Sequence, residues 1–325
     1  MTVHQTTSRS PLAAGAGRRG RDWLRAALVA NLILQIVIIL TGGLVRLTGS
    51  GLGCPTWPQC VPGSFTPVAQ QAQGIHSAIE FGNRLMTFVL AAVAIALVVL
   101  AHRQVPHRGR FVRLSYGPIL GIVAQAVLGG IIVLAHLDPK TVSPHFLLSL
   151  VLVSYSTWLV HRYDVGDGRR ELAVAPVLYR LTQATAVVAA VVMVLGTAVT
   201  GSGPHSGDAN TPVRFGFDPR ATSWLHADAV MLFVGLVVAV MVAARLVDVP
   251  ARFRYWWTVT FAVCLAQGLI GYTQFFTGLP AALVAVHLVG SALLTVAVTY
   301  GVMAASAWVP AKPGDVRIDR PTAAR

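Results

Sequence analysis

Long apolar runs separated by short polar turns dominate this chain. Eight runs reach or approach the roughly 20 residues that a helix needs to cross a hydrocarbon core. They lie at about 24–46, 77–101, 112–136, 143–161, 175–200, 223–246, 255–277 and 281–308. Each is mostly Val, Ala, Leu and Ile with small residues between. This pattern predicts lipid-embedded helices, because a spanning segment must satisfy its backbone groups internally. The expected fold is an all-α integral membrane protein with eight transmembrane helices.

The pattern repeats. TGSG occurs at Thr48 and again at Thr200, 152 residues apart. His76 and His226 are 150 apart; Gln125 and Gln267, and likewise His145 and His287, are 142 apart. Four landmarks in one order predict two tandem four-helix bundles. An even number of crossings per half makes the repeats parallel, related by a pseudo-two-fold axis along the membrane normal. The expected organisation is a disordered arm (1–22), a first half (23–161) with a turn-rich loop at 47–75, a polar linker (162–174), a second half (175–308) and a tail (309–325).

Composition agrees with a membrane setting. The chain of 325 residues is 55% hydrophobic and 11% charged, against about a quarter charged in soluble domains. The net charge of +13 invites a nucleic-acid reading, but its placement excludes one. Twenty of the 25 Lys and Arg fall in segments on one side. Arg46, Lys140, Arg214 and Arg220 fall on the other, and Arg84 lies within a span. This is a positive-inside pattern. It predicts a multi-pass cell-membrane protein with both termini cytoplasmic and the 47–75 loop on the outer face. The first run exceeds a signal-peptide core and reads as an uncleaved anchor.

Ten histidines are present. His4, His102, His107 and His161 sit among cytoplasmic arginines and read as solvated; His136 and His205 lie at outer loops. His76, His145, His226 and His287 each stand near the outer start of an even-numbered span. Ionisable groups at such depth tend to be functional. Paired by the repeat, the four suggest two bis-histidine sites, and two facing imidazoles are a common way to hold a haem iron in a bundle. A copper or zinc site would want more ligands close by. In span 2, His76, Glu80, Asn83 and Arg84 share one helix face. Glu80 and Arg84 are either an i,i+4 pair holding the bundle together or part of a reactive face. Cys54 and Cys60 lie on the outer side, where a disulfide persists; Cys264 reads as a small packing residue.

These residues carry a family resemblance over nearly all of 23–308. GGLVRLTGSGLGCPTWPQC (Gly42–Cys60), EFGNR in span 2, the histidines opening spans 4, 6 and 8, and both TGSG stretches resemble haem A synthase, a membrane enzyme serving cytochrome oxidase. The resemblance implies oxidation of the C8 methyl of haem O to a formyl group. It implies haem b between His226 and His287, and haem O in the first half with His145 as ligand. It makes Cys54 and Cys60 the family's outer cysteine pair and Glu80 its functional glutamate, with Arg84 beside it. Cys54–Cys60 is then either a staple over the site or a pair that exchanges disulfides with a partner. Haem O synthase and cytochrome oxidase assembly factors are candidate partners.

The chain departs from the family pattern once. Asn83 stands where many members have a second-span histidine that ligates the substrate haem. His76, two turns outward on the same face, is the candidate substitute. Two other functions fit the residues less fully: a dihaem b-type electron-transfer or quinol-oxidising cytochrome, and a haem carrier without chemistry. Gly129, Gly130, Gly268 and Gly271 permit close packing within a protomer or between protomers equally well.

Overall fold

A computed structural model describes residues 22–208 and 210–309. The remainder of the expected arm and tail, with His4 and the terminal basic residues, lies outside the described residues. Eight helical segments are long and apolar enough to cross a membrane, and the fold is the expected all-α, multi-pass membrane architecture.

The helices are α1 (Trp23–Leu47), α2 (Ile75–Gln104), α3 (Gly109–Leu114), α4 (Gly117–Leu134), α5 (Pro139–Val165), α6 (Pro176–Ser202), α7 (Pro219–Leu246), α8 (Ala251–Phe276) and α9 (Ala281–Ala304). Short polar caps set several starts. Asp22, Asp138 and Asp218 accept backbone N–H groups of Arg25, Lys140 and Ala221, satisfying donors that a helix leaves open at its N-terminus. Pro139, Pro176 and Pro219 follow as first helical residues, where a missing N–H costs nothing.

Three boundaries differ from the hydropathy reading. The single helix expected at 112–136 is two pieces, α3 and α4. Pro118 has no N–H to give to the carbonyl of Leu114. That carbonyl instead accepts the Tyr155 hydroxyl at 2.7 Å, and the Tyr155 ring fills the space beside Gly117, where an added Cβ would come within 2.4 Å of it. The fourth span starts at Pro139 instead of 143, because Asp138 caps it, and it carries Pro144 in its interior. The last helix ends at Ala304, short of 308. Residues Ser306–Val309 form strand β2, antiparallel to β1 (Arg169–Leu172), in the register Arg169↔Val309 to Leu172↔Ser306. The linker is thus more ordered than a polar spacer: α5 runs into it, Gly166 closes α5 at φ 76°, and β1 follows.

Each half is a ring of four. In the first, α1 and α4 both pack on α2 and on α5; in the second, α6 and α8 both pack on α7 and on α9. Hence α2 lies diagonally from α5, and α7 from α9. The second half closes on Phe233, Val237, Phe253 and Trp257. The first closes on Leu28, Leu97, Phe111 and Leu159. A third cluster, Ile39, Leu150, Val153 and Ala292, draws on both halves, and a hydrogen bond between the hydroxyls of Ser154 and Thr299 crosses the same seam at 2.9 Å. Aromatic and aliphatic side chains such as Phe88, Val177 and Leu269 face outward, as a lipid-facing surface requires.

The two TGSG stretches meet. The Gly51 N–H donates to the Gly207 carbonyl at 2.9 Å, and Ser50 bridges to Asp208. Arg46 reaches from α1 to the carbonyls of His205 (2.6 Å) and Thr200 (2.9 Å). One end of the molecule, here the loop end, therefore joins both halves through backbone contacts.

Candidate functional site

The loop after α1 folds over the start of α2. Cys54 and Cys60 form a disulfide. Glu80, one turn into α2 and 5% exposed, accepts the Cys54 N–H at 2.7 Å and pairs with Arg84 at 2.7 Å. Arg84 also donates to the carbonyls of Cys54 (2.9 Å), Thr56 (3.0 Å) and Gln59 (3.3 Å). Carbonyls converging on a guanidinium, with a carboxylate beside it, make the burial of this charge pair tolerable. The indole of Trp57 lies on α4, where a Cβ at Gly130 would come within 2.4 Å of it. The disulfide loop, Glu80 and Arg84 are thus one unit capping the first half.

Below this cap the histidines follow a common plan. His145 is the seventh residue of α5, His226 the eighth of α7 and His287 the seventh of α9. Each imidazole edge approaches a glycine on the preceding span. An added Cβ would stand 3.7 Å from His145 Cε1 at Gly129, 3.3 Å from His226 Cε1 at Gly196 and 3.5 Å from His287 Cε1 at Gly271. Gln125 donates to the His145 carbonyl (3.1 Å), and Gln267 donates to the His287 carbonyl (2.9 Å). His226 Nδ1 contacts the Val192 carbonyl at 3.1 Å. The Nδ1 atoms of His145 and His287 are buried without a hydrogen-bond partner. Glycines 129 and 271, read from sequence as packing faces, are here the floors beneath imidazoles. The signal available in the sequence was their position at the depth of the next histidine.

His76 differs. It is the second residue of α2, its Nδ1 lies 2.8 Å from Ser50 Oγ, and its carbonyl sits against Gly53. Asn83 lies three residues past Glu80 on α2, less than one turn, and accepts the Thr41 hydroxyl at 2.7 Å. His205 Nε2 meets the Leu279 carbonyl at 2.9 Å, which ties a loop. His161, expected to be solvated, has its Nε2 buried without a partner, and its ring stands edge-on to Tyr300. The end of α5 is packed against α9 there, and so withdraws it from water.

Fold and side-chain placement together define a multi-pass membrane protein with its Glu80–Arg84 pair and three imidazoles gathered at one end of a helical bundle. A family model described as cytochrome oxidase assembly protein (COX15-CtaA) matches residues 25–206, more than half of the chain, and the chain belongs to that family. It is 27% identical over 278 residues to a protein of Symbiobacterium thermophilum named heme A synthase, covering 79% of this chain and 89% of that one. It is 26% identical over 292 residues to the protein of the same name from Bacillus mycoides, covering 86% and 92%. These matches agree with the resemblance read from the sequence.

Proposed function

We propose that this chain oxidises the C8 methyl of haem O to a formyl group, making haem A for cytochrome oxidase. The observation that carries the reading is the set of three imidazoles at one depth, each given room by a glycine, in a chain whose relatives are named heme A synthase. The residues fit a haem in the second half. His226 and His287 stand on diagonal helices, and an Nδ1–H given to the Val192 carbonyl would leave His226 Nε2 for iron. Haem b, when bound there, supplies electron transfer.

The first half receives the substrate. His145 holds haem O from α5, with Asn83 and His76 on the opposite wall. The farnesyl tail of haem O belongs in the bilayer. Glu80, held by Arg84 and the Cys54 N–H, handles protons or steadies positive charge developing near the reacting methyl. The disulfide loop keeps water from this carboxylate. With the positive-inside orientation, the loop end is the outer face and both termini are cytoplasmic. The two halves act as tandem bundles with divided labour: chemistry in 23–161, electron transfer in 175–308.

The test is chromatography of acid-extracted haems from a host that makes haem O but no haem A. Haem A, or its hydroxylated precursor, appears only when this protein is expressed. Glu80→Ala abolishes that product while the haem b spectrum remains. Haem b enrichment with haem O unchanged, in folded protein supplied with reductant, overturns the reading in favour of an electron-transfer cytochrome.

A further inference from the structure

Four side chains, not three, stand at posts of one kind. Asn83 is the ninth residue of α2, at nearly the depth of His145, His226 and His287 in their helices. It too faces a glycine on the preceding span: a Cβ at Gly42 would lie 3.9 Å from both terminal atoms of its carboxamide. Its helix is diagonal to that of His145, just as α7 is diagonal to α9. His76 stands at a different post, in the first turn and engaged with Ser50. The second half therefore presents two imidazoles to a shared interior, and the first presents one imidazole and one carboxamide.

A carboxamide is not among the side chains that ordinarily hold haem iron, which are imidazole, thiolate, thioether and phenolate. It does offer an acceptor oxygen and two N–H donors. The Thr41 hydroxyl donates to Oδ1. This fixes the amide so that its Nδ2 donors have no protein partner among the described residues.

We propose that Asn83 marks an open axial position. On the function proposed above, the haem of the first half is held by protein through His145 alone. The opposite face of its iron takes a small exogenous ligand such as water, and Asn83 Nδ2 hydrogen-bonds that ligand. The haem of the second half, between two imidazoles, has no such vacancy. Asn83 is thereby a residue that separates a ligand-accepting centre from an electron-transferring one in a duplicated scaffold.

The experiment uses the full chain purified with its haems from a host that makes haem O, with carbon monoxide as the probe. The ferrous wild type binds carbon monoxide at one of two haems, and the ferric form shows one high-spin and one low-spin signal in electron paramagnetic resonance. Asn83→His converts the high-spin signal to low-spin and lowers the carbon monoxide-reactive fraction at least tenfold. Asn83→Leu keeps that fraction but shifts the C–O stretching frequency, because the donor is gone while the position stays open. A wild type with both haems low-spin and inert to carbon monoxide overturns this inference alone. So does an Asn83→His protein, loaded with both haems, that still binds carbon monoxide as the wild type does. A folded wild type that takes up no haem in its first half overturns the proposed function, and this inference with it.

Discussion

Glu80 Oε2 accepts the backbone N–H of Cys54 at 2.7 Å. The contact joins a carboxylate in a membrane helix to one end of the disulfide, so the disulfide loop and the charged pair share a hydrogen-bond network. Arg84 completes it with three loop carbonyls.

Breaking this network from one side is costly. Arg84→Ala leaves a buried carboxylate facing no cation and should destabilise the protein by about 3 kcal/mol. Glu80→Gln keeps an acceptor for Cys54 while removing the charge. The double variant should therefore be less destabilised than the two single effects added together. Thermal unfolding in detergent, followed by helical circular dichroism, measures all three; strict additivity would show that the pair is not coupled.

The disulfide should contribute in its own right. Closing so short a loop restricts the unfolded chain by about 2 kcal/mol. A Cys54→Ser, Cys60→Ser protein should lose about that much, and wild type treated with dithiothreitol should fall to the same midpoint. A reductant that leaves the wild-type midpoint unmoved would mean the bond contributes no stability.

The glycines beneath the imidazoles give half-specific predictions. Gly196→Val places branched carbon against His226, with the first added atom already 3.3 Å from its ring. Overpacking of this kind costs roughly 1–3 kcal/mol, enough to lower haem occupancy in that half by about tenfold. Gly129→Val does the same beside His145. Pyridine haemochrome analysis of the purified variants should show loss of haem b from the first and of haem O from the second. Equal loss of both haems from each variant would contradict two independent sites.

At the opposite end of the bundle, the Arg108 guanidinium hydrogen-bonds Asp167 at 2.8 Å and holds its carboxyl below the usual aspartate range, helped by Arg162. A depressed carboxylate stabilises the fold above its unfolded pKa, and that gain is lost as pH falls through the folded pKa. Asp167→Asn should therefore lower the melting temperature near pH 7. The gap to wild type should close below about pH 4, near the ordinary aspartate value. A gap independent of pH would assign the effect to packing.

Much of this was legible in the sequence because bilayer thickness imposes a length that hydropathy reports directly. The Glu80–Arg84 pair was legible through the cost of charge in a membrane helix, and the cysteines through their place on the outer side, where a disulfide persists. The break before Pro118 was not, since what makes it tolerable is Tyr155, 41 residues beyond the Leu114 carbonyl it engages. The depth of His76 was not legible either. Chain offsets paired it with His226, but the loop before α2 is longer than such counting allows, and α2 begins only at Ile75. Asn83 looked like an omission in the sequence. Its place became readable once Gly42 was seen facing it.

The strand pair β1–β2 has a consequence for how the molecule is made. β1 leaves the ribosome before any helix of the second half, yet its partner follows the last one. The connection between halves stays unlatched until α9 has been made, and is fastened when residues 306–309 pair with β1. The two bundles are thus free to find their seam, through Ile39, Val153 and Ala292, before the latch fixes their spacing.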